Sequence, residues 1–137
     1  MAAVEDARQA IVTKVEALRT TYADPSLVVE YDNRNLVNKA TQTAPYLCVE
    51  IMNISGDQID LGPGSRHRVM GSIILTARVR KGAGVKAANE LLAAFYPSMH
   101  MTDSMIPVRT RAARLVRAKD EGDWAGESAV IPFWYDN

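Results

Sequence analysis

A glycine-rich segment in the middle of the chain is the first candidate for chemistry. The run Gly82-Ala-Gly84-Val-Lys-Ala87 fits the G-x-G-x-x-A form of a dinucleotide fingerprint, between a predicted strand and a predicted helix. Glycines there let backbone N–H groups approach a pyrophosphate, and Asp103 follows where a ribose-binding carboxylate is expected. The preceding strands are patterned as an antiparallel meander, however, whereas a doubly wound sheet needs parallel crossovers. We therefore expect an ordinary turn, and keep a small nucleotide-binding domain that uses Gly82–Ala87 as the less favoured alternative.

Side chains that bind metals or attack substrates are few. Met99-His100-Met101 offers thioether and imidazole groups that suit Cu(I), but strand alternation would turn His100 away from both methionines, so core packing explains them better. Cys48 lies in an apolar strand pattern that is typical of a small buried side chain. His67 lies between two arginines, whose charges disfavour its protonation. Zinc-ligand spacings and nucleophile elbows are absent from the sequence, which predicts no metal, no cofactor and no enzymatic activity.

Charged residues are distributed unevenly along the chain. Residues 61–119 contain 11 basic and 2 acidic side chains, residues 1–60 contain 5 and 9, and residues 120–137 contain 0 and 5. Either these charges interleave on one folded surface, or the molecule has one basic and one acidic face. Two unlike faces would let copies join head to tail, because a heterologous interface uses two different patches. Complementary charge would then guide the encounter.

Several basic residues fall on one side of their predicted strands. The late strands contribute Arg109, Arg111, Arg117 and Lys119, which share one parity. The long central strand and its start could add Arg66, Arg68, Arg78 and Arg80. Such a stripe would contact phosphates, but aromatic residues make up only 7% of the chain and are almost absent here, so stacking on bases is not expected. A solvated sheet face is the commoner explanation of the pattern.

The composition is that of an ordinary globular protein. The 137 residues include 16 basic and 16 acidic side chains, and 47% are hydrophobic. This length favours one domain over residues 1–137, and the charge balance excludes charge-driven disorder. The longest stretch without charged residues, Leu91–Thr102, is shorter than the about 18 apolar residues of a membrane span. The first residues lack secretory-signal features and the one cysteine favours a reducing compartment, so we expect a soluble intracellular protein.

Hydrophobic periodicity predicts an α+β fold, in which a mainly antiparallel mixed sheet has two helices packed on one face. Turns are predicted at Gly56-Asp57 and Gly62-Pro63-Gly64, a long loop over Asp32–Pro45, and a hairpin around Asp120–Gly126. The predicted helices are Val4–Tyr22 and Val85–Phe95. The predicted strands are Leu27–Tyr31, Tyr46–Ile54, Arg68–Arg80, Met101–Val108, Ala112–Ala118 and Ala129–Tyr135.

The order of these elements resembles that of the small tail-terminator proteins of long-tailed bacteriophages. The resemblance covers residues 3 to 118 in element order, and the opening helix Ala7–Tyr22 and the strands around Leu27 and Val49 fall where that family has them. In residue pattern it covers Arg68–Phe95. The matching runs are Arg68-Val-Met-Gly71-Ser-Ile-Ile-Leu-Thr-Ala-Arg78-Val, Lys81-Gly82-Ala-Gly84 and Ala87-Ala88-Asn-Glu-Leu91-Leu92-Ala-Ala-Phe95. Residues 120–137 add nothing to it.

The resemblance implies a structural protein without catalytic activity, located in the virion tail and assembled in the bacterial host cytoplasm. Tail terminators form a six-membered ring that caps the tail tube, stops its polymerisation and offers a surface for head joining. The implied partners are further copies of the chain, the major tail tube protein and the head connector protein, while DNA only passes through the ring. A head–tail connector ring is the alternative within assembly. Exposure and charge make the candidate contacts Asn33–Thr43, Gly56–His67, Arg66, Arg68, Arg78, Arg80, Arg109 and Arg111.

Overall fold

The computed structural model describes residues 4–22, 26–31, 41–58, 67–82 and 84–136. The helices of this part of the chain are α1 (Val4–Thr21), α2 (Lys86–Ala93) and α3 (Tyr96–Met99). Its strands are β1 (Val29–Tyr31), β2 (Tyr46–Gln58), β3 (His67–Arg80), β4 (Arg109–Thr110), β5 (Arg114–Arg117) and β6 (Trp124–Asp136). None of the described helices is both long enough and apolar enough to cross a membrane.

All the strands belong to one six-stranded mixed sheet. Its order is β1-β2-β3-β6-β4, and β5 also pairs with β6, beside β4. β1 runs parallel to β2, and all other pairs are antiparallel. The long strands β2, β3 and β6 contain 13, 14 and 13 residues and form the centre of the sheet. The predicted α+β fold, with a mainly antiparallel mixed sheet, is confirmed.

The helices pack on one face of the sheet, as predicted. Alternate residues of β3 from Ile73 to Val79 are buried there, because successive side chains of a strand point to opposite faces. Gly71 belongs to the same row, and a Cβ at this position would collide with the Met52 carbonyl oxygen and the Phe133 ring, so glycine lets these groups approach. The helical residues of this core are Ala7, Ile11 and Val15 on α1 and Ala88, Leu91 and Leu92 on α2.

The opposite face, which we call the open face, has no helix on it in the described part of the chain. Its central rows pair Ser72 with Pro132 and Ile74 with Val130, and these four side chains are half-buried. Where the β3–β6 ladder approaches Arg80, the rings of Tyr46 and Trp124 pack edge to face, 4.8 Å apart, in a second small apolar cluster. The sheet therefore separates a deep core from a partly covered surface.

Two predicted elements are wrong. Met101–Val108 is not a strand but a succession of turns, in which the Val108 N–H donates to the Met105 carbonyl oxygen at 2.7 Å and both side chains are buried. The apolar residues that suggested a strand anchor this turn in the core. Gly56-Asp57 is not a turn, because β2 continues to Gln58 and pairs with β3 after a register shift between Asn53 and Ser55. Cross-strand pairing outweighs the local turn preference of glycine and aspartate.

Most of the remaining elements match their predictions within a few residues, whereas β4 lies between two predicted strands and was not predicted. The predicted hairpin forms between β5 and β6, with a tighter turn closed by mutual backbone hydrogen bonds between Glu121 and Trp124. α3 was not predicted, because Pro97 was expected only to follow a helix, although proline is also tolerated in the first turn. Of the predicted loop, residues 41–45 contain neither helix nor strand, and residues 32–40 lie outside the described residues. The turn predicted at residues 62–64 lies outside them too.

Candidate interaction surface

Arg68, Arg78 and Arg80, which we call the β3 arginines, point to the open face, and their partners come from β6, from the turn before it and from the loop that contains Gln42. Arg68 pairs with Asp136, with 2.9 Å between Nε and Oδ1, and its guanidinium lies 4.1 Å from the centre of the Trp134 ring. Strand register explains both contacts, because Arg68 stands opposite Asp136 in the antiparallel ladder. This arginine is bound within its own subunit.

Arg78 and Arg80 cover the Tyr46–Trp124 cluster at the other end of the ladder. Arg78 donates to the Lys119 carbonyl oxygen at 2.7 Å, lies 3.7 Å from the Glu121 carboxylate, and has only 12% of its side chain exposed. Arg80 lies over the Trp124 ring at 4.5 Å and donates to the Gln42 carbonyl oxygen at 3.1 Å. Both guanidinium groups therefore fasten loops onto the sheet.

The charge segregation seen along the chain is largely cancelled in space. Three acidic residues of the β5–β6 turn face cations that precede them by about 40 residues: Asp120 faces Lys81, Glu121 faces Arg78 and Asp123 faces Arg80, at 3.7–3.8 Å. Antiparallel pairing of β3 with β6 brings these segments together. Of the two alternatives that the sequence leaves open, interleaved charges describe this part of the molecule.

The basic charge that remains lies along one edge of the sheet, Arg109–Arg117, which we call the β4–β5 edge. Arg109, Arg111 and Arg114 are exposed, and within the described parts of the chain no carboxylate forms an ion pair with them. Arg117 is 75% exposed and pairs with Glu127 at 3.4 Å. The four residues of β5 are all exposed. This edge is the strongest cationic surface that the described residues form.

Trp134 of β6 lies between two arginines next to this edge. Its ring centre is 4.1 Å from the Arg68 guanidinium and 5.1 Å from that of Arg109. A shallow groove of about 580 Å³ runs past Arg109, Arg111 and Trp134 to the exposed Met101. Exposed arginine, tryptophan and methionine are residue types that protein interfaces favour.

The glycine motif forms a cavity rather than the opening of a βαβ unit. Gly82 and Gly84 adopt φ angles of +88° and +84° in the turn between β3 and α2, a left-handed conformation that glycine tolerates. They line a cavity of about 330 Å³ together with Lys81 and Arg117. Both neighbours of β3 are antiparallel to it, so the parallel strands that a dinucleotide fold requires are not adjacent to this turn.

The other candidate metal ligands and nucleophiles are separated from one another or take part in packing and backbone hydrogen bonds. Met99 is fully buried in the core, and Met101 is 70% exposed, so the two thioethers are separated. The His100 Nδ1 accepts a hydrogen bond from the Ala113 N–H at 3.1 Å. Cys48 is a half-buried free cysteine on the open-face side of β2, beside Tyr46 and Trp124. The described residues contain no cluster of three or more histidine, cysteine or acidic side chains that could hold a metal.

Three tyrosine hydroxyls have raised pKa values, each for a structural reason. Burial raises the pKa of Tyr46 above its ordinary value of 10.0, and that of Tyr135 likewise. Among the described residues neither buried hydroxyl has a hydrogen-bond partner. Burial also raises the pKa of Tyr31, and so does its hydrogen bond to the Glu16 carboxylate at 2.6 Å. All three remain protonated at neutral pH.

The structure thus separates the candidate contacts into two groups. Arg109 and Arg111 point outward, whereas Arg68, Arg78 and Arg80 are used internally. Arg66 lies outside the described residues, as do residues 33–40 and 59–66 of the two candidate segments. Sequence reasoning missed Arg114, Leu115 and Trp134 as members of the exposed edge. The short basic pattern Arg-Leu-Val-Arg could have indicated an edge strand, because edge strands are typically short and carry charged side chains.

Comparison with known proteins supports the fold only. No family model matches the sequence, and neither does any curated protein. Matches do exist among solved structures, to 22 chains. One of these, which carries no functional name, superposes with a TM-score of 0.61 at 20% sequence identity, over 99% of this chain and 96% of its own. At that identity the similarity shows the fold, without extending to activity or partners.

Proposed function

We propose that this protein is a structural virion protein that forms a ring on the end of a phage tail tube. The ring ends tube polymerisation and offers a surface for head joining. The tail-terminator pattern over Arg68–Phe95 supports the proposal, because it coincides with one structural unit, the central strand β3, its glycine turn and α2 packed on the core face. The protein acts through its surfaces and carries out no reaction.

The observation that carries the proposal is the exposed β4–β5 edge. Most cations among the described residues are paired within the subunit, but Arg109, Arg111 and Arg114 extend outward without a carboxylate in this part of the chain. Exposed guanidinium groups beside Trp134 are suited to contacts with another molecule. Because this edge is the most cationic of the described surfaces, it fits a contact with a different virion protein, the tail tube protein or the head connector protein.

Electron microscopy of particles assembled without this protein tests the function. We expect tails of irregular and excessive length that carry no heads, because nothing would stop the tube from growing. Complementation with wild-type protein restores normal particles, whereas Arg109→Ala/Arg111→Ala/Arg114→Ala protein does not. A matched variant, Arg8→Ala/Lys14→Ala/Lys86→Ala, removes the same charge elsewhere and restores them.

Two results would contradict the proposal. Tails of normal length that already carry heads in the absence of the protein would show that it does not terminate the tube. A single subunit at the neck of the mature particle, in place of a ring, would exclude the assembly proposed here.

A further inference from the structure

The outer side of β5 presents free backbone groups. The Ala118 N–H donates to the Gly126 carbonyl oxygen at 3.0 Å, and β5 pairs with β6 in regular antiparallel register from Arg114 to Arg117. In such a ladder, alternate residues direct their N–H and C=O groups toward the partner strand. Ala118, Val116 and Arg114 therefore face β6, while Leu115 and Arg117 direct theirs outward. No described strand lies on that side.

The side chains of β5 combine apolar and cationic groups at the same edge. Leu115 is 57% exposed and Val116 is 36% exposed. These two neighbouring residues are flanked by Arg114 on one side and Arg117 on the other. Alternation places Leu115 and Arg117 on the helix side of the sheet and Arg114 and Val116 on the open face. Each face of the edge thus offers one apolar contact and one cation.

The edge continues beyond β5 toward Trp134. Between β4 and β5 the chain contains one residue more than the facing part of β6, because Thr110 pairs with Phe133 and Arg114 with Val130. Arg109 stands opposite Trp134 in the ladder, and Arg111 lines the same groove. The outward N–H groups of Thr110 and Ala113 already donate to the Thr102 carbonyl oxygen and to His100 Nδ1, so strand pairing is open along β5, and a longer segment reaches Arg109 and Arg111 through its side chains.

We propose that the β4–β5 edge binds an extended, acidic segment of a partner protein by strand addition. The segment pairs with the outward N–H and C=O groups of Leu115 and Arg117, its alternate apolar side chains contact Leu115 and Val116, and its carboxylates meet Arg109, Arg111 and Arg114. Main-chain hydrogen bonds supply affinity and the side-chain contacts supply specificity, as in other cases of strand addition.

Charge distinguishes this occupant from a second copy of the chain. Antiparallel pairing of β5 with β5 of another copy would bring Arg114 and Arg117 of both copies into one pair of strands, and this juxtaposition of like charges is unfavourable. β1, at the opposite edge of the sheet, carries Glu30, but this residue is buried, with only 9% of its surface exposed. Beyond the last β1–β2 pair, Tyr31 with Val49, β2 carries the exposed Glu50, but among the side chains that the structure describes this is one carboxylate against three arginines. A different protein is therefore the better match.

The backbone and apolar groups distinguish it from nucleic acid. A phosphate backbone would neutralise the arginines but would leave the outward N–H and C=O groups of Leu115 unpaired and its side chain in water. An acidic peptide strand neutralises the arginines, pairs with the outward backbone groups and covers the Leu115 side chain. The inference goes beyond the ring proposed above, because strand addition at this edge holds for any partner with such a segment, and the two proposals fail on different measurements.

A synthetic peptide that alternates glutamate and valine over eight residues is the probe. We expect saturable binding to the full-length protein by fluorescence anisotropy. At a peptide concentration ten times the Kd, amide exchange at Leu115 and Arg117 slows about tenfold. Exchange at Arg114 and Val116, whose amides already face β6, changes little. A lysine–valine peptide of the same length is the charge control and binds roughly tenfold more weakly or not at all.

Proline substitution separates strand pairing from charge attraction. In the protein, Leu115→Pro removes only an outward N–H, a position at which edge strands tolerate proline, and weakens peptide binding about fivefold or more. Leu115→Val keeps the N–H and the apolar character, and binds as the wild type does. In the peptide, replacing two valines by proline preserves the charge and weakens binding by a similar factor, a result that does not depend on how the protein variant folds.

Three outcomes would overturn the inference. Equal binding of the proline-containing peptide would show that charge alone is recognised. A duplex DNA oligonucleotide that binds more tightly than the glutamate–valine peptide, without protection at Leu115 and Arg117, would assign the edge to nucleic acid. Protection of these two amides by concentration-dependent self-association would assign it to a second copy. Ring formation on tails is measured separately by microscopy, so it can fail while the peptide still binds.

Discussion

The arginines of β3 and those of the β4–β5 edge have the same chemistry but different surroundings. Arg78 is 12% exposed and holds the Lys119 carbonyl oxygen, whereas Arg111 and Arg114 extend into solvent. The difference comes from position in the sheet. A residue in a central strand has neighbours on both sides, and β6 brings carboxylates and aromatic rings to it, whereas an edge strand has one neighbour only. Charge count alone therefore does not identify an interface.

The comparison separates stability from recognition. The β3 arginines stabilise the fold, because removing them leaves loops and rings without partners. The edge arginines contribute little to folding, since exposed charges in water are worth little, and they are available to another molecule. Substitutions of the β3 arginines should therefore lower the free energy of unfolding, whereas substitutions of the edge arginines should impair assembly and leave the free energy of unfolding nearly unchanged.

Arg78→Ala should have the largest effect on stability. The substitution removes the 2.7 Å hydrogen bond to the Lys119 carbonyl oxygen and uncovers the Tyr46–Trp124 cluster. We expect the free energy of unfolding to fall by about 1–2 kcal/mol, because an exposed hydrogen bond from a charged donor is lost and the stem of a side chain that is only 12% exposed loses its packing. Urea denaturation followed by tryptophan fluorescence measures it.

Arg111→Ala is the matched control for that substitution. It removes the same side chain from an exposed position, so the free energy of unfolding should change by no more than about 0.5 kcal/mol. Equal losses in the two variants would contradict the distinction between central and edge arginines.

Asp136→Asn should have an intermediate effect. The substitution weakens the ion pair between Asp136 and Arg68. Because the side chain of Arg68 is 35% exposed and that of Asp136 is 28% exposed, solvent screening reduces the contribution of this pair to stability. We expect a loss of about 0.5–1 kcal/mol at low salt that shrinks as ionic strength rises. Denaturation at two salt concentrations checks this, and a loss that does not depend on salt would show that packing, not charge, holds this end of the ladder.

Tyr46→Phe should cause no loss of stability at neutral pH. The Tyr46 hydroxyl is buried without a described partner, so removing it should leave stability unchanged or raise it by up to about 1 kcal/mol. Tyr31→Phe is the contrast, since it loses the 2.6 Å hydrogen bond to Glu16 and should cost about 1 kcal/mol.

The same variant should be distinguishable at high pH. Burial raises the pKa of Tyr46, so above pH 10 the unfolded chain releases the proton while the folded chain keeps it. The free energy of unfolding of the wild type therefore falls as pH rises above 10, and Tyr46→Phe removes this part of the decrease. The free energy of unfolding of both proteins is measured at pH 7 and at about pH 10.5. An equal decrease in the two proteins would contradict the assignment of this pH dependence to Tyr46.

Local sequence patterns determined most of the elements. The spacing of Val4, Ile11 and Val15 predicted α1, and the alternation through Ile73 to Val79 predicted β3 and its buried face. These predictions succeeded because a buried face recurs with a fixed period, about 3.6 residues in a helix and 2 in a strand, and the apolar residues of the sequence follow that period. The apolar stripes also indicated that both helices pack on one face. The turn at Met105–Val108 failed because its buried side chains follow a strand-like pattern without a partner strand.

The roles of the charged residues were decided by tertiary structure. Arg78 and Arg117 have similar sequence surroundings, each between two apolar residues in a predicted strand, and nothing local shows which of the two strands has a neighbour on both sides. Pairing of β3 with β6 joins residues that are about 40 to 70 positions apart, and it converts a segregated sequence into internal ion pairs. Periodicity is a local property and could be read from the chain, whereas electrostatic partners depend on distances that only the folded sheet establishes.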